Sequence, residues 1–559
     1  MKQRESGLRI MVYIRTPVSG EYPAGLARSI HLAYSEDGVE FHALNQNYGV
    51  LFAKASISKE NTIRPKGVKD PWVFPLEERK YGIAAISVNE DGSLDEEMAG
   101  KALLWTTSDF ITFQEETPMD MESVIKTEKS AGTYRLDSGE TVAGSIIEVS
   151  GQLCHCVKQY WSRVFNCSVS VPETITAASP EALEDIRATL TYSDGSQVCK
   201  RVLWDTSSVH FDQRGSYDIT GIVQSAHYPF PLAKGYGDPV ILSWEGKKYY
   251  IATNDNKNDI GLYVREALTV EGLFAKDAAE HLILGEDEKR DYRLAFWAPE
   301  FHMIGDDLYL LFAVSGKAWS PQCHMMRLKK GGSIIDPDSW TEPVRVQRKD
   351  GSWLSEDGIT LDMTYMKAGN RSYVVWSYRK HIGSPLDTGS MLYIAEVEEK
   401  TPWRLISEPV LLSRPLFGWE NVEGTINNEG PYAFQANGRV YLTYSGGSAN
   451  GYTYVLGLLT AKVQDDLLNT DVWEKSSCPV LSYYSVEGEY GPGHNSFYTD
   501  EDGNLMIAYH GETSMESHLR CVGIRRVHFG AGGRPIFDMS ADRDLNQALR
   551  QVSMKLVVE

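Results

Sequence analysis

Basic residues are in short supply in this chain of 559 residues: 55 Lys and Arg stand against 76 Asp and Glu, a formal net charge of −21. Nucleic-acid backbones and anionic membrane surfaces attract positive charge, so this balance disfavours both as partners and leaves a neutral sugar polymer compatible. Long apolar runs are missing too. No stretch approaches the length of a membrane span, and Met1 to Arg15 carries charges without an apolar core followed by a small-residue cleavage site. Cysteine is scarce: there are seven, an odd number, and Cys323, Cys478 and Cys521 stand alone. With no leader pattern and no disulfide framework, the expected location is the cytoplasm. Cys154-His155-Cys156 has no second Cys/His pair at zinc-like spacing. Buried thiols on one face of a strand are the simpler reading.

What the chain does have is apolar residues (42%) and aromatics (11%) at globular levels, and enough length for several domains and a large core. Its thirty Tyr and thirteen Trp suit either β-rich cores or platforms for stacking on sugars. Five short motifs follow one another at nearly even spacing: Gly237-Asp238-Pro239, Trp297-Ala298-Pro299-Glu300, Ile359-Thr360-Leu361-Asp362, Asn428-Glu429-Gly430-Pro431 and Gly491-Pro492-Gly493-His494-Asn495-Ser496. Asp238, Glu300, Asp362, Glu429 and His494 lie 62, 62, 67 and 65 residues apart. A period of that size is one supersecondary unit, and each motif adjoins a β-rich run such as Leu308 to Val314 or Ser372 to Tyr378. The expected fold class is therefore all-β, with five small antiparallel sheets around an axis bringing four carboxylates and a histidine to one mouth. Acetal hydrolysis needs that chemistry: a protonated carboxyl at the leaving oxygen and an ionised one that activates water or attacks.

The order of these motifs resembles the glycoside hydrolases of family 43, five-bladed β-propellers that invert anomeric configuration, over roughly Tyr228 to the C-terminus. Within that family, Trp297-Ala298-Pro299-Glu300, Asn428-Glu429-Gly430-Pro431, Tyr444-Ser445 and Gly491 to Phe497 are similar to the α-L-arabinofuranosidase-like branch. The resemblance implies an exo-acting enzyme on oligosaccharides, most simply one that releases α-L-arabinofuranose, with β-xylosidase, exo-galactosidase and inactive carbohydrate-binding readings kept open. It implies Asp238 as the general base, Glu429 as the general acid and Asp362 as the third carboxylate that raises the acid's pKa. Glu423 is a nearby rival for Glu429. Asp357 competes with Asp362, because Leu361-Asp362-Met363 lacks the family's commoner proline. Glu300 and Trp297 are expected to line the pocket, with Trp319, Trp376, Tyr378, Trp419 and Tyr432 as further ring candidates. Arg520 stands where the family often has a substrate-contacting arginine, with Arg525 and Arg526 as rivals. His494 resembles the axial histidine that often touches a hydrated calcium, a structural ion; the chemistry itself needs no cofactor.

Upstream, residues 1–150 read as β-rich and propeller-like. Lys69-Asp70-Pro71 resembles the opening of a blade, and Trp105 to Phe113 resembles its outer strands. Asp70 falls outside the 62–67 spacing and is read as structural. A partial propeller has open edges, which a neighbour must cover: the catalytic domain or a second copy of the chain. Residues 151–224 contain Tyr192-Ser193-Asp194-Gly195 and Trp204-Asp205, which resemble a bacterial immunoglobulin-like sandwich acting as a spacer, with Trp204 as its core aromatic. Residues 225–559 are assigned to the propeller.

Overall fold

The computed structural model describes residues 7–76, 79–114, 116–122 and 131–559, so the first six residues of the N-terminal stretch lie outside it. From residue 233 to 526 the chain forms five four-stranded antiparallel sheets. Their innermost strands are Tyr236–Trp244, Leu294–Ile304, Ile359–Ala368, Asn428–Ala436 and Tyr490–Thr499. Four of the sheets are simple meanders. The fifth takes its outer strand, Ala233–Lys234, from the residues just ahead of the first blade, which closes the ring non-covalently. The first hairpin of the fourth blade turns at Asn437-Gly438, both at positive φ (51° and 74°), the geometry that matches strand twist in a tight turn.

Every innermost strand breaks its regular conformation at its motif. The pairing register shifts between Gly237 and Val240, between Trp297 and Glu300, between Leu361 and Thr364, and between Glu429 and Tyr432. Each strand has a motif residue at left-handed φ: Asp238 (56°), Ala298 (45°), Asp362 (54°), Gly430 (55°) and His494 (41°), with Ala295 (53°) and Gly491 (54°) as second such positions in their strands. A bulge of this kind bends the strand and re-aims a side chain, so the repeat is a repeat of backbone geometry as well as of sequence.

The N-terminal segment holds a sixth four-stranded meander, opened by Lys66–Pro75, and a five-stranded sheet to which Arg9–Tyr13 and His31–Ser35 belong. The strand Lys66–Pro75 carries the same bulge between Lys69 and Trp72, with Asp70 at φ 48°. It is a blade outside the ring, as Asp70-Pro71 suggested. Its apolar residues share a core with the fourth blade: Val68, Val73 and Trp105 pack in one cluster with Trp419, Leu442 and Tyr444.

Two expectations are corrected here. Gly151–Trp161 is an α-helix capped by Ser150, whose hydroxyl accepts from the Leu153 amide; its apolar residues Cys154, Val157 and Trp161 recur at helical spacing. Cys154 is buried while Cys156 is exposed, so the two thiols do not share a face. Trp161 donates its indole N–H to the Phe110 carbonyl at 2.8 Å, which ties this helix to the N-terminal segment, beyond the expected limit at 150.

A second compact unit gathers 163–229, 498–507 and 524–559. Its sheet runs in the order Asn166–Ser170, Arg187–Tyr192, Gln197–Trp204, Gly215–Val223, Gln551–Val558, Thr174–Thr176. The last strand of the chain, assigned above to the propeller, pairs antiparallel with Gly215–Val223 from Gly215↔Val558 to Ile222↔Gln551. Trp204 is only partly buried, packed on two apolar clusters. At its centre Asp544 accepts hydrogen bonds from Lys200 (2.6 Å), Arg526 and Tyr192.

Candidate active site

The bulges gather the motif side chains at one end of the five innermost strands. Asp238 is 6% exposed, yet its carboxylate is surrounded by donors: Thr253 Oγ1 at 2.5 Å, His494 Nδ1 at 3.0 Å and Arg520 Nη1 at 3.2 Å. Burial pushes its pKa up, but the charges of His494 and Arg520 outweigh this and hold it well below the usual carboxylate range. His494 answers in kind. Burial disfavours its charge, while Asp238 and Asp362 raise its pKa to about 9, so it is an imidazolium at neutral pH.

His510 plays a different part. Its Nδ1 accepts the backbone N–H of Asp238 at 3.1 Å, which places its own proton on Nε2, and burial lowers its pKa. Two histidines with rings 6.3 Å apart therefore differ in charge, one cationic and one neutral.

Asp362, 3% exposed, accepts from the Gly430 amide at 3.1 Å and Ser377 Oγ at 3.3 Å. Burial, together with the neighbouring Glu429 and Asp238, pushes its pKa up to about 7 against the pull of His494. Glu429 accepts from the Tyr454 hydroxyl at 2.9 Å, and burial raises its pKa as well. The two groups titrate together, and burial shifts both toward the protonated form. Gly430 fits its place because it carries no side chain. At its φ of 55° a Cβ would lie 2.8 Å from the His494 ring. Behind Glu429, Asn428 donates to Glu420 at 2.9 Å and accepts from Ser413 at 2.7 Å; Glu420 is fully buried beside Lys475. The arrangement thus sets one carboxylate held toward its ionised form in the same site as two carboxyl groups pushed toward their protonated forms, the division of labour that acid–base chemistry needs.

Of the other expected residues, Arg520 is at the site, bridging Asp238 and Asp255. Trp297 donates its indole N–H to Asp259 at 3.0 Å and meets Trp319 edge-on at 6.2 Å; Trp319 is 42% exposed and available for stacking. Glu300 is displaced. The bulge of its blade falls on Ala298, and Glu300, two residues deeper and 2% exposed, hydrogen-bonds His302 at 2.6 Å. Its carboxylate is engaged by His302 and is not among the groups that hydrogen-bond Asp238 or Asp362. Trp376, Trp419 and Tyr432 are buried in the core. Asp357 pairs with Lys380 at 2.6 Å and Tyr378, and Glu423 is exposed on a turn; neither joins the acids. Arg526 binds Asp544 in the second unit.

His494 Nε2 is buried without a protein partner, and no group of three metal-ligating side chains gathers among the described residues. A calcium at this point would therefore take most of its oxygen ligands from water.

Thr253, Ser377, Tyr454 and His510 were not foreseen as site residues. A signal exists for three of them. Thr253, Ser315, Ser377, Ser445 and His510 end the second strands of the five blades and lie 62, 62, 68 and 65 residues apart, in step with the motifs they support. Thr253 donates to Asp238, Ser377 to Asp362, and Ser445 accepts from the His494 amide at 2.7 Å.

A family model described as glycosyl hydrolases family 43 matches residues 229–535. The chain is 32% identical over 321 residues to an extracellular exo-α-(1→5)-L-arabinofuranosidase of Streptomyces avermitilis, covering 56% of this chain and 63% of that protein. A protein of the same name from Streptomyces chartreusis is 33% identical, with 51% and 82% covered; α-L-arabinofuranosidase 43 of Humicola insolens is 34% identical, with 51% and 56% covered. The chain thus matches less than two thirds of the length of two of these three relatives. Among solved structures, an α-L-arabinofuranosidase from Lactobacillus brevis is similar at 29% identity and a TM-score of 0.49, over 56% of this chain and 96% of that one. The two Streptomyces proteins are named extracellular, which overturns the cytoplasmic expectation. That expectation rested on the N-terminal residues and on unpaired cysteines; four of the seven thiols, Cys154, Cys323, Cys478 and Cys521, are buried, and a thiol packed in a core is chemically compatible with either compartment.

Proposed function

The chain belongs to the glycosyl hydrolases of family 43, and we propose on that footing that it is an exo-acting, inverting α-L-arabinofuranosidase. The observation that carries this reading is the unlike setting of two carboxyl groups: Asp238 lies among Thr253, His494 and Arg520, whose charges hold its pKa low, whereas Glu429 meets only the Tyr454 hydroxyl and burial pushes its pKa up. Asp238 takes a proton from a water, which attacks the anomeric carbon. Glu429 delivers its proton to the leaving glycosidic oxygen, so the C–O bond breaks as the new one forms and charge stays balanced. Asp362 orients the acid and shares its proton, and Arg520 holds Asp238 in place. The sugar is taken from the relatives' names, and the exposed Trp319 beside Trp297 supports a stacking surface at the entrance.

The test is release of aryl alcohol from α-L-arabinofuranoside, β-D-xylopyranoside, β-D-galactofuranoside and β-D-galactopyranoside, with the anomer of the product followed by NMR. Release from the arabinofuranoside with inversion is expected, and Glu429→Ala should lower turnover by about 10²–10⁴-fold on a natural oligosaccharide. Wild-type turnover in Glu429→Ala would remove it as the acid, and preference for another sugar would reassign the substrate.

A further inference from the structure

We propose that residues 15–61 form the wall of the subsite that receives the leaving group, so that this segment decides which second sugar the enzyme accepts. The inference rests on the reading of Glu429 as proton donor. Asp238, Asp362 and Glu429 stand within the first four residues of their innermost strands, so the connections leading into those strands lie at the same end of the ring as the acids. Two such connections flank the blade of Glu429: 414–427, which enters Asn428–Ala436, and 476–489, which enters Tyr490–Thr499. The N-terminal segment covers both.

On the first, the Arg414 guanidinium donates to the side chain and carbonyl of Asn61 at 2.7 and 3.0 Å, and the Ala55 amide donates to the Leu416 carbonyl at 2.7 Å. The short helix Ala24–Ala27 rests against the turn Val422–Gly424, where Gly25 and Gly418 approach so closely that a Cβ on Gly418 would come within 2.6 Å of the Gly25 carbonyl. On the second, the Tyr483 hydroxyl donates to the Glu21 carbonyl at 2.8 Å, and Tyr484 stacks on Tyr22 at 5.7 Å and accepts from Arg15 at 3.3 Å. The contacts run on to the acid itself. Tyr452 meets Tyr483 edge-on at 5.2 Å, and two residues further along the same chain Tyr454 donates to Glu429.

A proton donor must reach the leaving oxygen, so the departing sugar lies beside the blade of Glu429. That is the side on which this segment stands. Its turn Val18–Tyr22 buries only Tyr22 and leaves Val18, Ser19, Gly20 and Glu21 facing solvent as a rim. The Glu21 contact to Tyr483 runs through the backbone, so the rim side chains can be changed without removing it.

The experiment compares wild type with a Val18→Arg/Glu21→Arg double variant on an aryl α-L-arabinofuranoside and on an α-1,5-linked arabinotriose. The ratio of kcat/KM for arabinotriose to that for the aryl substrate should fall about tenfold, mainly through KM. An equal change on both substrates, or none, overturns the proposal while leaving the hydrolase reading intact. No release from either substrate by the wild-type protein overturns both. Tyr484→Ala, with its thermal midpoint recorded beside the same ratio, is the second variant: loss of stability with an unchanged ratio assigns the contact to folding and also overturns the proposal.

Discussion

A carboxylate out of water must be re-solvated by the protein or give up its charge, because burial of an uncompensated ion costs several kcal/mol. The site uses both solutions. Asp238 keeps its charge among Thr253, His494 and Arg520, while burial pushes Asp362 and Glu429 toward their protonated forms. The sign of the pH dependence follows. Asp238 stays ionised well below the ordinary carboxylate range, so the acid limb of kcat/KM lies at low pH. The pair loses its proton as pH rises, and with Asp362 at about 7 the alkaline limb lies near neutrality. Asp362→Asn removes a like charge from Glu429 and should move the alkaline limb to lower pH. A limb that stays in place would mean that Asp362 does not tune the acid.

At the scale of one blade, the recurring device is a bulge at the start of the innermost strand with a residue at positive φ. Asp and His accept that conformation at a modest cost, and Gly at none. Gly430 has little freedom, since both its φ and the His494 ring 2.8 Å from its virtual Cβ oppose a side chain. Gly430→Ala should destabilise the protein by about 1–3 kcal/mol and lower kcat, because the displaced strand carries Glu429 and its amide holds Asp362. Full activity with an unchanged thermal midpoint would show that the bulge does not position the acids.

Over the whole chain, segments distant in sequence complete each compact unit. The N-terminal blade shares a core with the fourth blade of the ring, and the last eight-residue strand completes the sheet of the second unit. That second unit turns on Asp544. Burial alone would raise its pKa, but Arg526 and Lys200 drive it far down, so its contribution to stability is fully present above the ordinary carboxylate range and is lost progressively as pH falls from there to its much lower folded pKa. Removing one member of such a buried set leaves the cations unpaired. Asp544→Ala should therefore cost about 3–5 kcal/mol and lower the unfolding temperature of this unit in calorimetry at pH 7. An unchanged transition would show that Lys200 and Arg526 find other partners.

The sequence by itself determined whatever is local in backbone geometry. Asp-Pro, Glu-Gly-Pro and Gly-Pro-Gly-His at even spacing report bulges that each blade must form on its own, so the five blades were legible, and Asp238, Asp362 and Glu429 fall on or beside those bulges. Spacing counted on the carboxylate of the second motif chose Glu300, whereas the bulge itself selects Ala298; a two-residue offset along a strand is invisible in a period of about sixty. Cys154-His155-Cys156 was read as a strand because three residues cannot separate a period of 2 from one of 3.6, and only the burial of Val157 and Trp161 decided for a helix. Only the tertiary structure decided what meets what: that His510 is the neutral acceptor for the Asp238 amide and His494 the cation, that Tyr454 holds Glu429, and that Gln551–Val558 pairs with a strand more than three hundred residues earlier. Protonation and strand partnership both depend on which groups lose their water together, and that is set by the packing of the whole unit.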